Sequence, residues 1–106
     1  MARRVTWSEI ASKDLEECWE YIARDSLMYA ASFVRDVRES SRSLDESAER
    51  GRIVPEFKLA GVRELIVGNY RLVYQVGPES VVILRVIHGA RRMPGSDLRR
   101  RDPPPG

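Results

Sequence analysis

The sequence predicts an α+β fold: a short N-terminal strand, an antiparallel two-helix hairpin and then a three-stranded antiparallel meander, with the helices packed on one face of the sheet. Three observations predict it. Two β-branched and apolar runs, residues 62–67 and 70–76, flank Gly68-Asn69, a pair suited to the φ > 0 positions of a two-residue hairpin turn. Gly77-Pro78-Glu79-Ser80 then breaks the chain before a third run at 81–87. Upstream, apolar residues recur every three or four positions over two stretches divided only by Asp25-Ser26, the pattern of two amphipathic helices joined by a tight connection.

Each element has its own signal. Arg4 to Trp7 is a candidate edge strand with Val5 and Trp7 on one side of the pleat. Ser8 is a good N-cap, and Ala11, Leu15, Cys18, Trp19 and Ile22 form the apolar stripe of a helix ending near Arg24. A second helix starts at Asp25 or Ser26, with Leu27, Ala30, Val34, Val37, Ser41 and Leu44 on its stripe and Phe33 widening it. Residues 44–59, with Gly51 and Pro55, read as a loop or short extended segment.

In the meander, pairing Val67 with Tyr70 and Val76 with Val81 fixes both faces, because side chains alternate along a strand. One face collects Arg63, Leu65, Val67, Tyr70, Leu72, Tyr74, Val76, Val81, Ile83, Arg85 and Ile87. The other mixes Glu64, Arg71, Gln75 and His88 with Val62, Ile66, Val73, Val82, Leu84 and Val86. The first, with two charges among its members, is assigned to the core. A bulge at the four-residue turn would instead flip the third strand and send Arg85 and His88 to opposite faces.

A chain of 106 residues with 42% hydrophobic and 32% charged content fits one globular domain, expected at 1–98 with a basic, Pro-rich tail at 99–106. No apolar run approaches the roughly 18–20 residues that span a bilayer, and the N-terminus has no signal-peptide core, so a cytoplasmic protein is expected, with no membrane partner. The lone Cys18 lies on the helical stripe and is expected to be inert. The net charge of +2 conceals an asymmetry: residues 1–50 carry 8 basic against 11 acidic side chains, −3, and residues 51–106 carry 10 against 5, +5. Sixteen of the 18 basic residues are Arg, the side chain suited to bidentate contact with phosphate or carboxylate.

Several segments, in order, resemble the RelE/ParE superfamily of bacterial type II toxins, and within it the ParE branch. Val5-Thr6-Trp7-Ser8 with Ala11 and Asp14-Leu15 resembles its start, and Trp19-Glu20-Tyr21-Ile22-Ala23 its first helix. Gly51-Arg52, Val54-Pro55-Glu56, Arg63-Glu64-Leu65, Tyr70-Arg71-Leu72-Val73-Tyr74 and Ile83 to Arg91 follow in that branch's order. The resemblance implies a toxin neutralised by a cognate antitoxin in a hetero-oligomer, with a homodimer available to the free protein and operator DNA contacted only through the antitoxin. No cofactor or metal is expected.

The superfamily divides between gyrase inhibitors and ribosome-dependent mRNA endoribonucleases. Ribonuclease chemistry needs a base for the 2′ hydroxyl, cations for the phosphorus-centred charge and an acid for the leaving oxygen. In the RelE branch a lysine pair, arginines and a C-terminal tyrosine fill these roles; here the lysine positions are Val62 and Glu64 and the tyrosine position falls near Asp97. Arg71 and Arg91 match the arginines, and His88 is a candidate substitute base, so Arg71, His88 and Arg91 are the catalytic candidates if the chain is a ribonuclease. The departures favour inhibition of DNA gyrase by binding, with Arg71, His88, Arg91, Arg92, Arg99, Arg100 and Arg101 as the target-binding set. An antitoxin segment is expected either to lay a helix in a groove bordered by Leu15, Trp19 and Tyr21 or to add a strand at the sheet edge, with its acids on Arg63, Arg71 or Arg85. A third reading is a non-toxic member that binds its antitoxin and takes part only in operon autoregulation. Simpler roles stand beside these: Arg71 in a cross-strand pair with Glu64, Arg63 and Arg85 paired with helix carboxylates, and His88 as a packing residue.

Overall fold

In the computed structural model, which describes residues 2–56 and 61–89, the chain runs β1 (Arg4–Trp7), α1 (Glu9–Ala23), α2 (Leu27–Ser43), β2 (Arg52–Ile53), β3 (Val62–Val67), β4 (Tyr70–Val76) and β5 (Ser80–His88). A 3-10 turn at Ala48–Arg50 precedes β2. The strands form one sheet in the order β1-β5-β4-β3-β2. The meander has the expected register, Val67 opposite Tyr70 and Val76 opposite Val81, and Gly68 adopts φ 59° in the hairpin turn. β1 pairs in parallel with β5, which makes the sheet mixed, and the two-residue β2 extends it beside β3.

Both helices start where the sequence places them. Ser8 Oγ accepts the Ala11 N–H and Ser26 Oγ accepts the Tyr29 N–H, each at 3.0 Å, satisfying donors that a helix N-terminus otherwise leaves open. Ala11, Leu15 and Ile22 of α1 and Ala30, Phe33 and Val37 of α2 meet Val67, Leu72, Tyr74, Val81 and Ile83 of the sheet in the main core. The pairing of α1 with β5 and of α2 with β3 spreads the hairpin across one sheet face.

The expected faces hold for β3, β4 and the first half of β5, and fail after Ile83. A bulge leaves Leu84 without a partner between Tyr74↔Ile83 and Val73↔Arg85, so the rest of β5 is turned over. Val86 thereby enters the main core, opposite Leu72, and His88 lies opposite Tyr70 with its ring edge against it at 5.2 Å. Ile87, expected in that core, packs instead with Val54, Val62 and Val73 in a smaller core on the opposite face. The extra residue sits mid-strand rather than at the turn, at the point where β1 ends.

That coincidence has a physical reason. β1 covers β5 only from Ser80 to Ile83, and beyond it the edge of β5 would present bare N–H and C=O groups. Side chains of α1 take them instead: Ser8 Oγ donates to the Leu84 carbonyl at 3.2 Å, Asp14 Oδ2 accepts the Val86 N–H at 2.9 Å, and the Cys18 thiol faces the Val86 carbonyl at 4.0 Å. A helix thus continues the work of a strand.

The segment between α2 and β3 is held by Tyr74, whose fully buried hydroxyl donates to the Ala48 carbonyl at 2.7 Å and accepts the Gly51 N–H at 2.9 Å. A side chain at Gly51 would collide with that hydroxyl and with the Glu64 carbonyl, so the close approach requires glycine. Replacing Tyr74 with Phe strands a buried donor and a buried acceptor and is expected to cost about 1–3 kcal/mol. In urea denaturation this appears as a lower midpoint at unchanged slope; an unshifted midpoint would contradict the role given to the hydroxyl.

Candidate functional site

Arg71 lies on the sheet face away from the helices, in the wall of the smaller core. Its Nε donates to Glu64 Oε1 at 2.7 Å, and its two terminal nitrogens grip Glu56 in a bidentate pair at 2.9 and 2.7 Å. Arg52 Nε closes the chain on the other oxygen of Glu64 at 2.6 Å. The side chains of Arg71 and Glu64 are buried and that of Arg52 is 62% exposed. Two guanidiniums and two carboxylates make a formally neutral cluster. The hydrogen bonds that Arg71 donates to Glu56, reinforced by Glu64, outweigh burial and hold it even more firmly protonated than a free arginine.

The two other described arginines expected to meet a partner, Arg63 and Arg85, are likewise engaged inside the molecule. Arg85 binds Asp14 of α1 through both carboxylate oxygens, at 2.8 and 3.4 Å. Arg63 donates to the carbonyls of Gly51 and Glu49 rather than to a helix carboxylate. His88 lies on the helix side of the sheet, and Arg71 faces the other way on the neighbouring strand, opposite Ile87. The bulge therefore separates the two described members of the candidate ribonuclease set. Arg91, Arg92, Arg99, Arg100 and Arg101 lie outside the described residues.

Two hollows flank α1. The first, about 690 Å³, runs along the helix hairpin between Trp7, Ser12, Leu15, Glu16, Trp19 and Glu20 on one side and Val34 and Arg38 on the other. Leu15 forms its buried floor, and Trp19 is 38% exposed at its rim. The second, about 520 Å³, lies between α1 and the end of β5 and includes Asp14, Glu17, Cys18, Tyr21, Tyr70 and His88. Tyr21 is thus on the opposite flank of α1 from Trp19, and the three apolar residues expected to share one contact divide between two. Burial, with Asp14 and Glu17 adding to it, pushes the Cys18 thiol up to about 11. Burial also raises the Tyr70 phenol. Among the described residues no group of His, Cys, Asp and Glu side chains could hold a metal ion, and no helix is long and apolar enough to cross a membrane.

Residues 5–93 match the family model of the ParE toxin of type II toxin–antitoxin systems, parDE. The chain belongs to this family. No curated protein sequence is significantly similar to it. Among solved structures, it is similar to the chromosomal ParDE system of Pseudomonas aeruginosa, with a TM-score of 0.67 at 23% identity over 82% of this chain and 96% of that one. The RelBE2 toxin–antitoxin complex of Mycobacterium tuberculosis matches with a TM-score of 0.55 at 26% identity, over 86% and 95% of the two chains. The YoeB dimer of Staphylococcus aureus shares the fold, with a TM-score of 0.57 at 20% identity over 83% and 98%. The chain is therefore a type II toxin–antitoxin toxin of the RelE/ParE superfamily, as its motifs imply.

For this ParE-family chain, sequence reasoning found Arg71 and its pairing with Glu64 but missed Glu56. The fragment Val54-Pro55-Glu56 was visible only as part of the family resemblance; nothing in its spacing signals a carboxylate folded back on β4.

The cluster makes unequal demands on its members. Arg71→Ala leaves Glu64 buried against a partly exposed Arg52 and is expected to destabilise by about 3–5 kcal/mol, whereas Arg52→Ala should cost about 1 kcal/mol or less. Equal losses in denaturant titrations would refute the ranking. Cys18 supplies a pH signature. Its folded-state pKa is above the unfolded value, so its contribution is present below pH 9 and lost as pH rises toward 11. A Cys18→Ser variant should lose less stability than the parent between those limits, measured as thermal midpoints across that range.

Proposed function

We propose that this ParE-family toxin arrests growth by binding DNA gyrase, without cleaving mRNA, and that its antitoxin silences it by laying an amphipathic helix along the groove between Trp7 and Trp19. The observation that carries the gyrase reading is the separation of Arg71 from His88. A phosphodiester bound to one sheet face cannot meet both, and Arg71 already holds two carboxylates. Glu64, at a position where the RelE branch has a lysine, adds negative charge beside that guanidinium rather than the cation a developing phosphorane needs. Inhibition by binding asks only for a shaped, charged surface, and the basic residues 91–101 are its candidates.

The antitoxin reading is supported by the matched structures, several of which are described as toxin–antitoxin complexes or systems. It is also supported by the groove itself. Its stretch of α1 from Ser12 to Glu20 spans about 12 Å, the rise of two helical turns, with Leu15 and Trp19 placed to receive anchors at i and i+4.

Expression of the chain alone in a bacterial host, with growth, mRNA integrity and DNA supercoiling followed together, tests the target. Growth arrest with disturbed supercoiling and intact mRNA is expected, and His88→Ala should keep the effect. Ribosome-dependent mRNA cleavage with normal DNA would establish the nuclease alternative, and absence of arrest would leave only antitoxin binding and autoregulation. Trp19→Ala should weaken binding of the antitoxin encoded beside the toxin by about 30-fold, the scale of an aromatic anchor, in a calorimetric titration.

A further inference from the structure

The hollow between α1 and the end of β5 is not consumed by the groove just assigned, and its chemistry differs from it. We propose that it is a guanidinium-binding site, built to receive the arginine side chain of a bound protein segment. The proposal does not depend on which cellular target the toxin inhibits.

The hollow is a product of the bulge. Omitting Leu84 from the ladder turns Val86 and His88 toward the helices, and it leaves Arg85 where Asp14 can take it. Asp14 is then fully committed, to Arg85 and to the Val86 N–H, and its charge is balanced. Glu17, one turn further along α1, makes no ion pair or hydrogen bond among the described residues. Among the described residues it is the one carboxylate on the wall without a paired cation, which favours a cation in the opening over phosphate or carboxylate. The raised Cys18 thiol registers the same negative field, since Asp14 and Glu17 both contribute to it.

The aromatic wall narrows the cation to a planar one. The Tyr70 ring is held by Phe33 at 4.7 Å and by the edge of His88 at 5.2 Å, so it is pre-oriented. Tyr21, 63% exposed, already has the Arg24 guanidinium 5.8 Å from its ring centroid, an intramolecular case of the contact proposed. A guanidinium can stack on an aromatic face while pairing bidentately with a carboxylate, which a compact ammonium cannot do. A hollow of about 520 Å³ is of the size that holds small ligands and takes one arginine side chain with room to spare.

The test is a heteronuclear NMR titration of the purified full chain with N-acetyl-arginine methylamide, compared with the lysine analogue, with agmatine as a free guanidinium, and with N-acetyl-glutamate methylamide. Saturable shifts confined to Glu17, Tyr21, Tyr70 and His88, with the lysine analogue at least about fivefold weaker and the glutamate analogue silent, are expected. Glu17→Gln and Tyr21→Ala, both changes at exposed positions, should each weaken the arginine analogue about fivefold or more while leaving the amide spectrum folded. No saturable response, shifts unchanged in Glu17→Gln, or equal response to lysine would overturn the guanidinium assignment. Agmatine binding more than tenfold tighter than the capped arginine would overturn the protein source in favour of a free amine. Growth arrest is not among the readouts, so loss of the gyrase reading would leave this result standing, and the reverse.

Discussion

The carboxylate of Asp14 is the contact on which the arrangement of this sheet depends. One of its oxygens accepts both the Val86 N–H and the Arg85 guanidinium, at 2.9 and 2.8 Å. It thereby closes a strand edge that β1 is too short to cover and fixes α1 against β5 at the bulge. Within β5, residues 84–88 take their facing from that junction. Val86 enters the main core, Ile87 the smaller one, and His88 comes beside Tyr70. Charge pairing at the surface is weak, but this carboxylate and guanidinium are 12% and 17% exposed and the same oxygen satisfies a backbone donor, which makes it a structural contact.

On the other face the cluster of Arg52, Glu56, Glu64 and Arg71 does for the segment after α2 what Asp14 does for β5. Glu56 reaches back from the end of a loop, and Val54 beside it caps the smaller core, so the sheet is covered on both sides along part of its width. A buried ion cluster of this kind contributes little net stability compared with apolar packing, yet removing one member leaves a charge without water or partner. Its value is positional: it ties the segment after β2 to one place on β4. The cost falls on any chemistry that would need Arg71, because a guanidinium whose Nε and both terminal nitrogens already hold the carboxylates of Glu64 and Glu56 presents no open fork to a further anion.

The order of elements was readable in the sequence because each rests on a local rule. Ser8 and Ser26 cap helices, Gly68-Asn69 closes a hairpin, and the apolar stripes have the period of a helix. The diagonal pair of Arg71 with Glu64 was readable too, since register alone sets it. The facing of Arg85, Val86, Ile87 and His88 was not. Strict alternation from Val81 places Ile87 in the main core, and a bulge that answers to the length of β1, at the other end of the chain, has no signature within β5. Glu56 was hidden for the same reason, its partner being fifteen residues away across a loop.

The arginine count changes meaning once its partners are known. Residues 51–106 carry an excess of five positive charges, which reads as a basic sheet. Yet Arg52, Arg63, Arg71 and Arg85 all have partners within the molecule, and the described part of that half, with Glu56, Glu64 and Glu79, has an excess of only one. The remaining excess belongs to Lys58 and to residues 91–102. Residues 8–26, by contrast, carry six acids against Lys13 and Arg24. The sequence is therefore divided in charge, with an acidic stretch over α1 and a basic one after β5, and the two favour partners of opposite sign. The net acidity of α1 survives in the fold because, among the described residues, only Asp14 of its carboxylates is matched by a sheet arginine, Arg85.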